Sequence, residues 1–397
     1  MRTIAFYLPQ FHPIPENNRW WGEGFTEWRN VAKARPRFSG HHQPQIPERL
    51  GFYDLRLAEA REAQAKLAQA HGVHGFCYYH FWFNGKMLLE KPLNDVLTSG
   101  EPDFPFCVCW ANENWTRRWD GGENQILMGQ DYDEYDAGAH MDWLIEAFND
   151  ARYIKVSGKP LFLVYNASAI PNLAERISEW RERAAEAGFP GLYVCATLSV
   201  RNTLSAPELT AAGFDSVIDF LPRPDVRGKR TTGNFLKYLL PRVFNKVVRK
   251  LGWDQRLPLA PVLNRFSYRN LARNALQRWA KRDDLLPCVI PSWDNCARKR
   301  VDADVYQNDE PKRYGKWLRA ALALVQLRPQ EEQLVFINAW NEWAEGCHLE
   351  PDTKHGLAFL EETKAAMQEL QQPVQEPETA RANAKSDDAM ATATGSY

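Results

Sequence analysis

The chain of 397 residues lacks long hydrophobic runs, and no segment approaches the ~18 consecutive apolar residues of a membrane-spanning helix. Its opening residues, MRTIAFYLPQF, also lack the basic head, the long apolar region and the small-residue cleavage site of a signal peptide. We therefore expect a cytoplasmic protein without a membrane span.

The chain also lacks an excess of charge of either sign. It has 49 basic and 50 acidic side chains, so its formal net charge is −1. No global field attracts such a chain to nucleic acid or to a membrane, and we expect no nucleic-acid partner. Any charged contact surface has to be local.

Cysteine is scarce, and it follows no metal-binding pattern. The seven Cys form neither a CxxC pair nor a Cys/His zinc spacing. The near pairs His41-His42 and His71-x-x-His74 lack the strand-end partners of a metal-dependent hydrolase. The GxGxxG and GxxxxGK[ST] motifs are absent as well, so we expect neither a metal nor a cofactor. Five cysteines lie in apolar runs that favour reduced, buried thiols, namely Cys77, Cys107, Cys109, Cys195 and Cys288.

Aromatic residues, by contrast, are plentiful at 12%, and 15 of them are Trp. The apolar fraction of 44% and the charged fraction of 25% are typical of a soluble globular protein. Several Trp residues stand beside Asn, Asp or Glu, and this mixture suits the apolar faces and the hydroxyls of sugars.

Short β-rich runs alternate with helical patterns along the chain. An alternation of this kind calls for a parallel sheet, and eight units favour a closed (β/α)₈ barrel, an α/β fold, over an open doubly wound sheet. Helical patterns occupy 53–71, 134–151, 171–187, 312–327 and 354–371. The predicted strands are 3–11, 73–82, 105–112, 160–166, 192–198, 216–221, 286–292 and 334–341.

Two segments do not fit this repeat. The stretch 223–285 is too long for a βα connection, and its residues 223–250 carry nine Lys or Arg against one acidic residue. We predict a basic insertion at about 223–260, between strands 6 and 7. From 373 onward the sequence has no apolar period, so we predict one catalytic domain over 1–372 and a disordered tail over 373–397.

Polar and aromatic residues gather at the predicted strand ends, where the working groups of such a barrel stand. Packing of some of these aromatic residues is the alternative, because Trp and Tyr often finish strands as core. We predict that these residues bind the substrate: Tyr7, Gln10, Tyr78, His80, Trp110, Asn112, Glu113, Trp115, Trp293, Asp294, Asn341 and Trp343.

The motif NAWNEWAEG at 338–346 places Glu342 and Glu345 at the end of strand 8. On a straight strand these two carboxylates would point to opposite faces, so both reach one cleft only if the chain turns there. Two neighbouring carboxylates can divide the work of a glycosidase, one staying ionised while the pKa of the other is raised.

Four motifs of the chain resemble those of a known family. The motifs WANENW (110–115), WDN (293–295) with Arg298, NAWNEWAEG and YYHFWFNGK (78–86) look like the WbsX-type family of surface-polysaccharide (O-antigen) biosynthesis proteins. That family is similar to the endo-α-mannosidase family of glycoside hydrolases, and the likeness spans about residues 1–370.

The resemblance implies a (β/α)₈ barrel with Glu342 and Glu345 as the catalytic pair. It implies that Glu345 is the general acid/base and that Glu342 deprotonates the sugar 2-hydroxyl, which then attacks its own anomeric carbon. Retention of configuration follows. Ala344 stands inside the motif, so the substrate of the mannosidases is not carried over.

Three function classes remain open at this point. A hydrolase or transglycosidase is favoured, because both glutamates are present. A glycosyltransferase in lipopolysaccharide biosynthesis is the second, although Asp131-Tyr132-Asp133 is only a weak DxD-type metal motif. A non-catalytic sugar-binding barrel is the third. The expected substrate is an oligosaccharide or a lipid-linked glycan, and nothing in the sequence indicates an oligomeric state.

Residues 228–250 combine an apolar helical face with Lys and Arg. Packing on the barrel is one interpretation of this face. The other is peripheral contact with an anionic inner-membrane surface, where a lipid-linked substrate is found.

Overall fold

The structure, a computed structural model, describes residues 1–117, 122–133, 135–231, 243–245, 247–248, 263–299 and 302–369. Within these residues, eight parallel strands form a closed barrel. The strands are β1 (Arg2–Tyr7), β2 (Gly75–Phe83), β3 (Phe106–Trp110), β4 (Lys159–Val164), β5 (Tyr193–Thr197), β6 (Ser216–Asp219), β7 (Leu285–Val289) and β8 (Leu334–Ile337).

Each strand pairs with its neighbour in the chain, and β1 closes the barrel by pairing with both β8 and β2. Ile4 stands opposite Phe336 on one side and Gly75 on the other. All eight predicted strands overlap the observed ones, so the predicted (β/α)₈ barrel is confirmed.

In the described part of the chain, each barrel strand is followed by a helix that packs outside it. The sequence patterns found five of these helices and missed α2, α5 and α6, of which α2 and α5 are short. The helices are α1 (Ala58–Ala70), α2 (Lys91–Ser99), α3 (Ala137–Phe148), α4 (Leu173–Glu186), α5 (Ala206–Ala211), α6 (Tyr268–Trp279), α7 (Pro311–Val325) and α8 (Ala358–Glu369).

Local sequence explains where several helices begin. Ser205 and Glu208 form a capping box at α5, in which Glu208 Oε2 accepts from the Ser205 backbone N–H at 2.7 Å. Asp136 caps α3 by accepting from the backbone N–H of Ala139 at 2.9 Å. Pro311 stands at the start of α7, where its missing N–H costs nothing.

Smaller elements lie in the connections between the barrel strands and their helices. Two short helices, Pro15–Trp21 and Trp28–Lys33, lie in the loop after β1. The 3₁₀ turns are Ala167–Ala169, Asn295–Ala297, Gln330–Glu332 and Trp343–Glu345. The additional strand pairings are Lys86–Leu88 with β2, Trp115–Arg117 with Gly122–Met128, Lys155–Val156 with β4, Leu263–Ser267 with Ala303–Gln307, and Asn341–Glu342 with Cys347–His348.

The long connection between β6 and β7 is only partly an insertion. Its last part is regular, because Leu263–Ser267 forms a strand and α6 is the barrel helix that precedes β7. Most of the predicted insertion, namely 232–242, 246 and 249–260, lies outside the described residues, as does the predicted tail at 373–397. The domain limits of 1–372 stay a prediction. Among the described residues, no helix is long and apolar enough to cross a membrane.

The pleat of the strands decides which side chains face the barrel interior. Phe6 of β1 stacks on Tyr79 of β2 with ring centroids 5.6 Å apart, and it meets Phe220 edge-on at 5.0 Å. Because side chains alternate along a strand, Tyr7 and Tyr78 face the surrounding helices instead. All seven cysteines are free and buried, as predicted for the five in strand-like runs.

Gly75 at the start of β2 gives a test of barrel packing. A Cβ there would lie 2.6 Å from the carbonyl oxygen of Pro105 and 2.8 Å from Cδ1 of Ile154. We expect Gly75→Ala to lower the free energy of unfolding by about 1–3 kcal/mol, because strand β2 would have to move. Urea denaturation measures the change.

Gly129→Ala is the matched control. It adds the same methyl group at an exposed position where the nearest side-chain atom, Cγ2 of Ile126, is 3.8 Å away. This control should stay within about 0.5 kcal/mol of the wild type. Equal losses in the two variants would contradict a close approach at Gly75.

Candidate active site

A cavity of about 370 Å³ opens at the carboxyl ends of the barrel strands. Its walls come from the carboxyl ends of all eight barrel strands and from the loops that follow them. The lining residues include Gln10, Trp21, Tyr79, Phe81, Glu113, Trp115, Tyr165, Arg201, Trp293, Arg298, Glu342 and Glu345.

The end of β8 brings both glutamates of the E-x-x-E motif to this cavity. The chain forms a short strand at Asn341–Glu342, makes a 3₁₀ turn at Trp343–Glu345, and returns antiparallel. Gly346 closes the turn with a φ of 56°, and a Cβ there would lie 2.9 Å from the backbone nitrogen of Asp294. A glycine is therefore required, both for the left-handed backbone and for the close approach.

One arginine from the loop after β7 contacts both glutamates. Arg298 places Nη2 at 2.8 Å from Glu342 and Nη1 at 3.0 Å from Glu345. Its Nε donates at 2.7 Å to Oε1 of a third carboxylate, Glu27, which is completely buried in the loop after β1. All three nitrogens of the guanidinium group thus face carboxylates.

Burial makes Glu342 a weaker acid than an exposed glutamate. Loss of hydration raises the pKa of Glu342 to about 8, and the like charges of Glu345 and Glu27 add to this increase, while Arg298 opposes it. Burial also opposes the charge of Arg298, but the three carboxylates outweigh it and raise the pKa of this guanidinium well above its ordinary value. The side chain of Glu345 is 25% exposed, so it borders the open part of the cavity.

Aromatic rings form much of the cavity wall. Trp115 meets Phe81 of β2 edge-on with centroids 5.1 Å apart, and Trp20 approaches Trp115 from the loop after β1 at 5.7 Å. Tyr79 and Trp293 complete this wall near the glutamates. A pocket with several indole and phenol rings and a few carboxylates suits a polyhydroxylated ligand.

The structure divides the predicted site residues into two groups. Six line the cavity: Gln10, Glu113, Trp115, Trp293, Glu342 and Glu345. The other eight are buried outside it, and for these residues the structure corrects the predicted place in the cleft: Tyr7, Tyr78, His80, Trp110, Asn112, Asp294, Asn341 and Trp343.

The phase of the strand pleat accounts for four of these corrections. Tyr7, Tyr78, His80 and Trp110 point to the helix layer. His80 stacks on Trp143 of α3 at 4.3 Å, and its Nε2 lies 3.0 Å from Nε2 of His140. Burial lowers the pKa of His80 to about 3, so this ring is neutral core.

Two further residues belong to a buried hydrogen-bond network around Glu350. Trp343 Nε1 donates to Glu350 Oε2 at 2.6 Å, and the Tyr53 hydroxyl donates to the same oxygen at 2.8 Å. Asn341 donates to the Leu8 carbonyl at 3.0 Å and accepts from the Leu8 N–H at 2.7 Å, which joins the ends of β8 and β1. These side chains hold the glutamate loop in place from behind.

Glu350 connects this network to the helix layer. Its Oε1 accepts from Gln64 of α1 at 2.6 Å, and Gln64 in turn accepts from the Tyr7 hydroxyl at 2.7 Å. Burial raises the pKa of Glu350 to about 7, and its hydrogen bonds oppose the increase. Tyr7 therefore supports the site instead of lining it.

The remaining two residues join neighbouring loops. The Asn112 amide bonds the backbone of Asn166, donating to its carbonyl and accepting from its N–H, both at 2.8 Å. Asp294 Oδ2 lies 2.6 Å from both His41 Nε2 and Gln43 Nε2. Although burial opposes ionisation, these contacts keep the pKa of Asp294 below its ordinary value.

His41, Asp294 and Cys296 form the one group of described residues whose ligand atoms lie close enough to hold a metal ion. Their contacts point to hydrogen bonding instead. Nδ1 of His41 accepts from the backbone N–H of Arg37 at 3.0 Å, so Nε2 carries the proton that it donates to Asp294. We assign this cluster to loop packing.

The prediction missed two kinds of residue at the cavity or directly behind its wall. Tyr79 and Phe81 could have been found by phasing the pleat on the inward Cys77, since residues two apart share a face. Glu27 and Arg298 lie in loops far apart in sequence, and no spacing rule brings them together. Arg201, whose Nε lies 3.3 Å from Glu113, is a third long-range case.

A sequence model of the glycosyltransferase WbsX family matches residues 3–363. The chain belongs to the WbsX glycosyltransferase family. Two curated relatives, both uncharacterized WxcX proteins of Xanthomonas campestris pv. campestris, are 38% identical to this WbsX chain over 369 residues, or 92% of it. The chain spans about half the length of these relatives, 49% of each. The family predicted from the sequence motifs is thus confirmed.

Solved structures similar to this WbsX protein share its barrel at low identity. A GH99 endo-α-mannosidase from Bacteroides thetaiotaomicron, in complex with Bis-Tris propane, is 14% identical with a TM-score of 0.53, covering 93% of this chain and 97% of the mannosidase. A glycoside hydrolase-like protein is 12% identical with a TM-score of 0.57, covering 92% and 93%. Identities this low support the fold alone.

Proposed function

We propose that this chain is a carbohydrate-active enzyme that cleaves or transfers glycosidic bonds in bacterial surface-polysaccharide metabolism, with Glu342 and Glu345 as its catalytic pair. The observation that carries this proposal is the placement of both carboxylates at one cavity, in contact with the same guanidinium group and beside aromatic walls. Paired carboxylates at a glycosidic bond are the usual means of its hydrolysis or transfer.

In the proposed reaction, Glu342 takes the proton of the sugar 2-hydroxyl, and the resulting oxygen attacks the anomeric carbon of the same sugar. Glu345 gives its proton to the departing glycosidic oxygen, which leaves as an alcohol. A water molecule or an acceptor hydroxyl, deprotonated by Glu345, then opens the epoxide-like intermediate while Glu342 returns the first proton to O2. Because each of the two steps inverts the anomeric carbon, the overall reaction retains its configuration.

The exposure of the two glutamates agrees with this division of roles. Glu342 is the more deeply buried, and with a pKa of about 8 it is a stronger base than an exposed carboxylate, but it is ionised in most molecules only above that pH. Glu345 is a quarter exposed at the open side of the cavity, where a leaving group can depart and an acceptor can enter.

A glycosyltransferase acting through the same residues is the second candidate, and the description of the family favours it. The DxD-type letters at Asp131 and Asp133 give no support, because Asp131 Oδ1 accepts from the Asp133 backbone N–H in an exposed turn outside the cavity. A non-catalytic sugar-binding barrel is the third. The glycan, whether an oligosaccharide or a lipid-linked one, would come from a surface polysaccharide.

A screen separates these three functions. Purified protein is incubated with O-antigen fragments and lipid-linked oligosaccharides, with and without nucleotide sugars, and the products are analysed by mass spectrometry. A hydrolase shortens the glycan, a transglycosidase exchanges its termini, and a nucleotide-sugar transferase lengthens it only when the donor is present. A binding protein changes none of the masses.

We also propose a cytoplasmic enzyme that contacts the inner membrane through residues 228–250. Most of this segment lies outside the described residues. Within its described part, Val243, Phe244 and Val247 are exposed by 51%, 39% and 49%, and they stand among Lys and Arg in the sequence. Exposed apolar residues surrounded by basic ones suit an anionic lipid surface.

Replacing either catalytic glutamate should remove turnover. We expect Glu342→Gln and Glu345→Gln each to lower kcat by about 10²–10⁴-fold, because each loses a proton-transfer group. The near-isosteric amides should leave the melting temperature almost unchanged. Glu23→Gln, at an exposed glutamate in the loop after β1, is the control and should keep full activity. Wild-type rates in both cavity variants would reject the assignment.

The pH dependence of the wild-type enzyme tests which glutamate is the base. Glu342 must be ionised to take a proton, so with a pKa of about 8 its ionised fraction grows with rising pH. With an activated aryl glycoside, whose leaving group needs no proton from Glu345, we expect kcat/KM to increase about tenfold per pH unit below this pKa and to level above it. A kcat/KM for this substrate that does not increase through the same pH would show that Glu342 is not the base.

Vesicle co-sedimentation tests the membrane contact. At low salt, anionic vesicles should bring down more protein than zwitterionic ones, because each Lys or Arg near an anionic surface contributes about 1 kcal/mol. Added salt should weaken this binding. A Val243→Ser, Phe244→Ser, Val247→Ser variant should bind less, since it keeps the charge but loses the apolar contact. Equal sedimentation with both vesicle types would rule out the membrane contact.

A further inference from the structure

The contacts of Glu27 are unexpected for a residue that merely packs. Its side chain is completely buried and lies outside the cavity wall, so it does not border the space that a sugar would fill. Its Oε1 accepts from Arg298 Nε at 2.7 Å, while Oε2 has no hydrogen-bond partner among the described residues. The loop after β1 thus buries a carboxylate that has a single hydrogen-bond partner in the described part of the chain.

Stability alone does not explain this arrangement. A buried ion pair contributes little net stability, because the loss of hydration offsets the attraction between its charges. A carboxylate with an oxygen left unpaired is less favourable still. The molecule nevertheless adds a third negative charge to a site that already holds two. The effect of Glu27 on the orientation of Arg298 gives a functional reason for this charge.

The guanidinium group is planar, and its three nitrogens keep fixed directions. Once Nε is held by Glu27, the rotation of the plane is set, and Nη2 and Nη1 reach Glu342 and Glu345 at 2.8 and 3.0 Å. Without Glu27 the plane is free to turn toward one glutamate and away from the other. The two glutamates depend on a group that contacts neither of them.

Further contacts fix the loops that carry Glu27 and Arg298. Glu27 donates its backbone N–H to the Gln10 carbonyl at 3.1 Å, and the adjacent Trp28 packs on Trp343 at 5.6 Å. In the loop that carries Arg298, the Asp294 N–H donates to the Glu345 carbonyl at 2.7 Å. The three loops are therefore fixed to one another.

We propose that Glu27 is a positioning residue, which acts through the Arg298 guanidinium group to align Glu342 and Glu345 for catalysis. This inference rests on the proposed function of the two glutamates. It assigns to a buried residue of the loop after β1 a role in chemistry that takes place at the end of β8.

Removing Glu27 and removing Arg298 should have opposite effects on the pKa of Glu342. Removing Glu27 takes away a like charge that raises the pKa of Glu342, so that pKa should fall. Removing Arg298 takes away the attraction that lowers it, so the pKa should rise. The other titratable groups facing Glu342 are Glu345, Tyr79, Tyr165 and Cys347, and burial keeps the last three neutral by raising their pKa values well above the ordinary range.

The test compares Glu27→Gln with Arg298→Met. We expect Glu27→Gln to lower kcat on the order of 10- to 100-fold with little change in KM, because a small misplacement of reacting groups is costly. The titration midpoint of Glu342 is followed without substrate by infrared difference spectroscopy, and the Glu342→Gln variant identifies its carboxyl band. The midpoint should move down in Glu27→Gln and up in Arg298→Met.

Two further variants complete the design. Glu23→Gln removes an exposed charge from the same loop and should change neither kcat nor the midpoint. Arg298→Lys keeps the positive charge but replaces three nitrogens in fixed directions by one ammonium nitrogen on a flexible stem, so it should lose activity as Glu27→Gln does. It also tests the alignment if Glu27→Gln fails to fold.

The outcomes separate this inference from the function on which it rests. If the wild-type protein turns over no glycan while the midpoints move in opposite directions, the proposed function fails, but the coupling of Glu27 and Arg298 to Glu342 is supported. If the wild-type protein is active but Glu27→Gln keeps both its kcat and its midpoint, the positioning role is wrong. Full activity in Arg298→Lys would also overturn it, because charge without alignment would suffice.

Discussion

The guanidinium group of Arg298 contacts three carboxylates at the mouth of the barrel, and the geometry of the site depends on this shared cation. Two glutamates brought to one cavity repel each other and lose hydration, so they need a fixed positive partner. The turn at Gly346 and the loop after β7 are packed so closely that a Cβ would not fit between them. This close packing brings the cation to the pair.

A second buried carboxylate supports the same loop in a different way. Among the described residues, Glu350 has no cation as a hydrogen-bond partner and accepts from neutral donors of Gln64, Tyr53 and Trp343. Neutral donors leave the pKa of this carboxyl high, whereas the site itself uses charge. The barrel mouth thus separates a layer held by neutral hydrogen bonds from a charged layer that contains the proposed catalytic pair and Arg298.

Sequence patterns are sufficient for the barrel, because its strands are short apolar runs and its helices have clear periods. The E-x-x-E motif was also found, since both of its members lie in one short segment. The sequence patterns did not predict which side chains of a strand face the cavity. His80 was expected in the cleft, but its neighbours Tyr79 and Phe81 line the cavity instead. A shift of one residue exchanges the two faces of a strand. The pairing of Glu27 with Arg298 joins residues 271 positions apart, which no local pattern encodes.

Membership of a glycosyltransferase family and a fold shared with glycoside hydrolases are compatible under the proposed chemistry. The first step uses only groups of the donor sugar and the two glutamates, so it is the same for hydrolysis and for transfer. The second step requires one hydroxyl that Glu345 can deprotonate, and a water molecule and a sugar hydroxyl both meet that requirement. The acceptor is then selected at the open side of the cavity, near Glu345, and not by the buried base. One catalytic pair can therefore serve enzymes that degrade glycans and enzymes that build them, depending on which hydroxyl the loops around Glu345 admit.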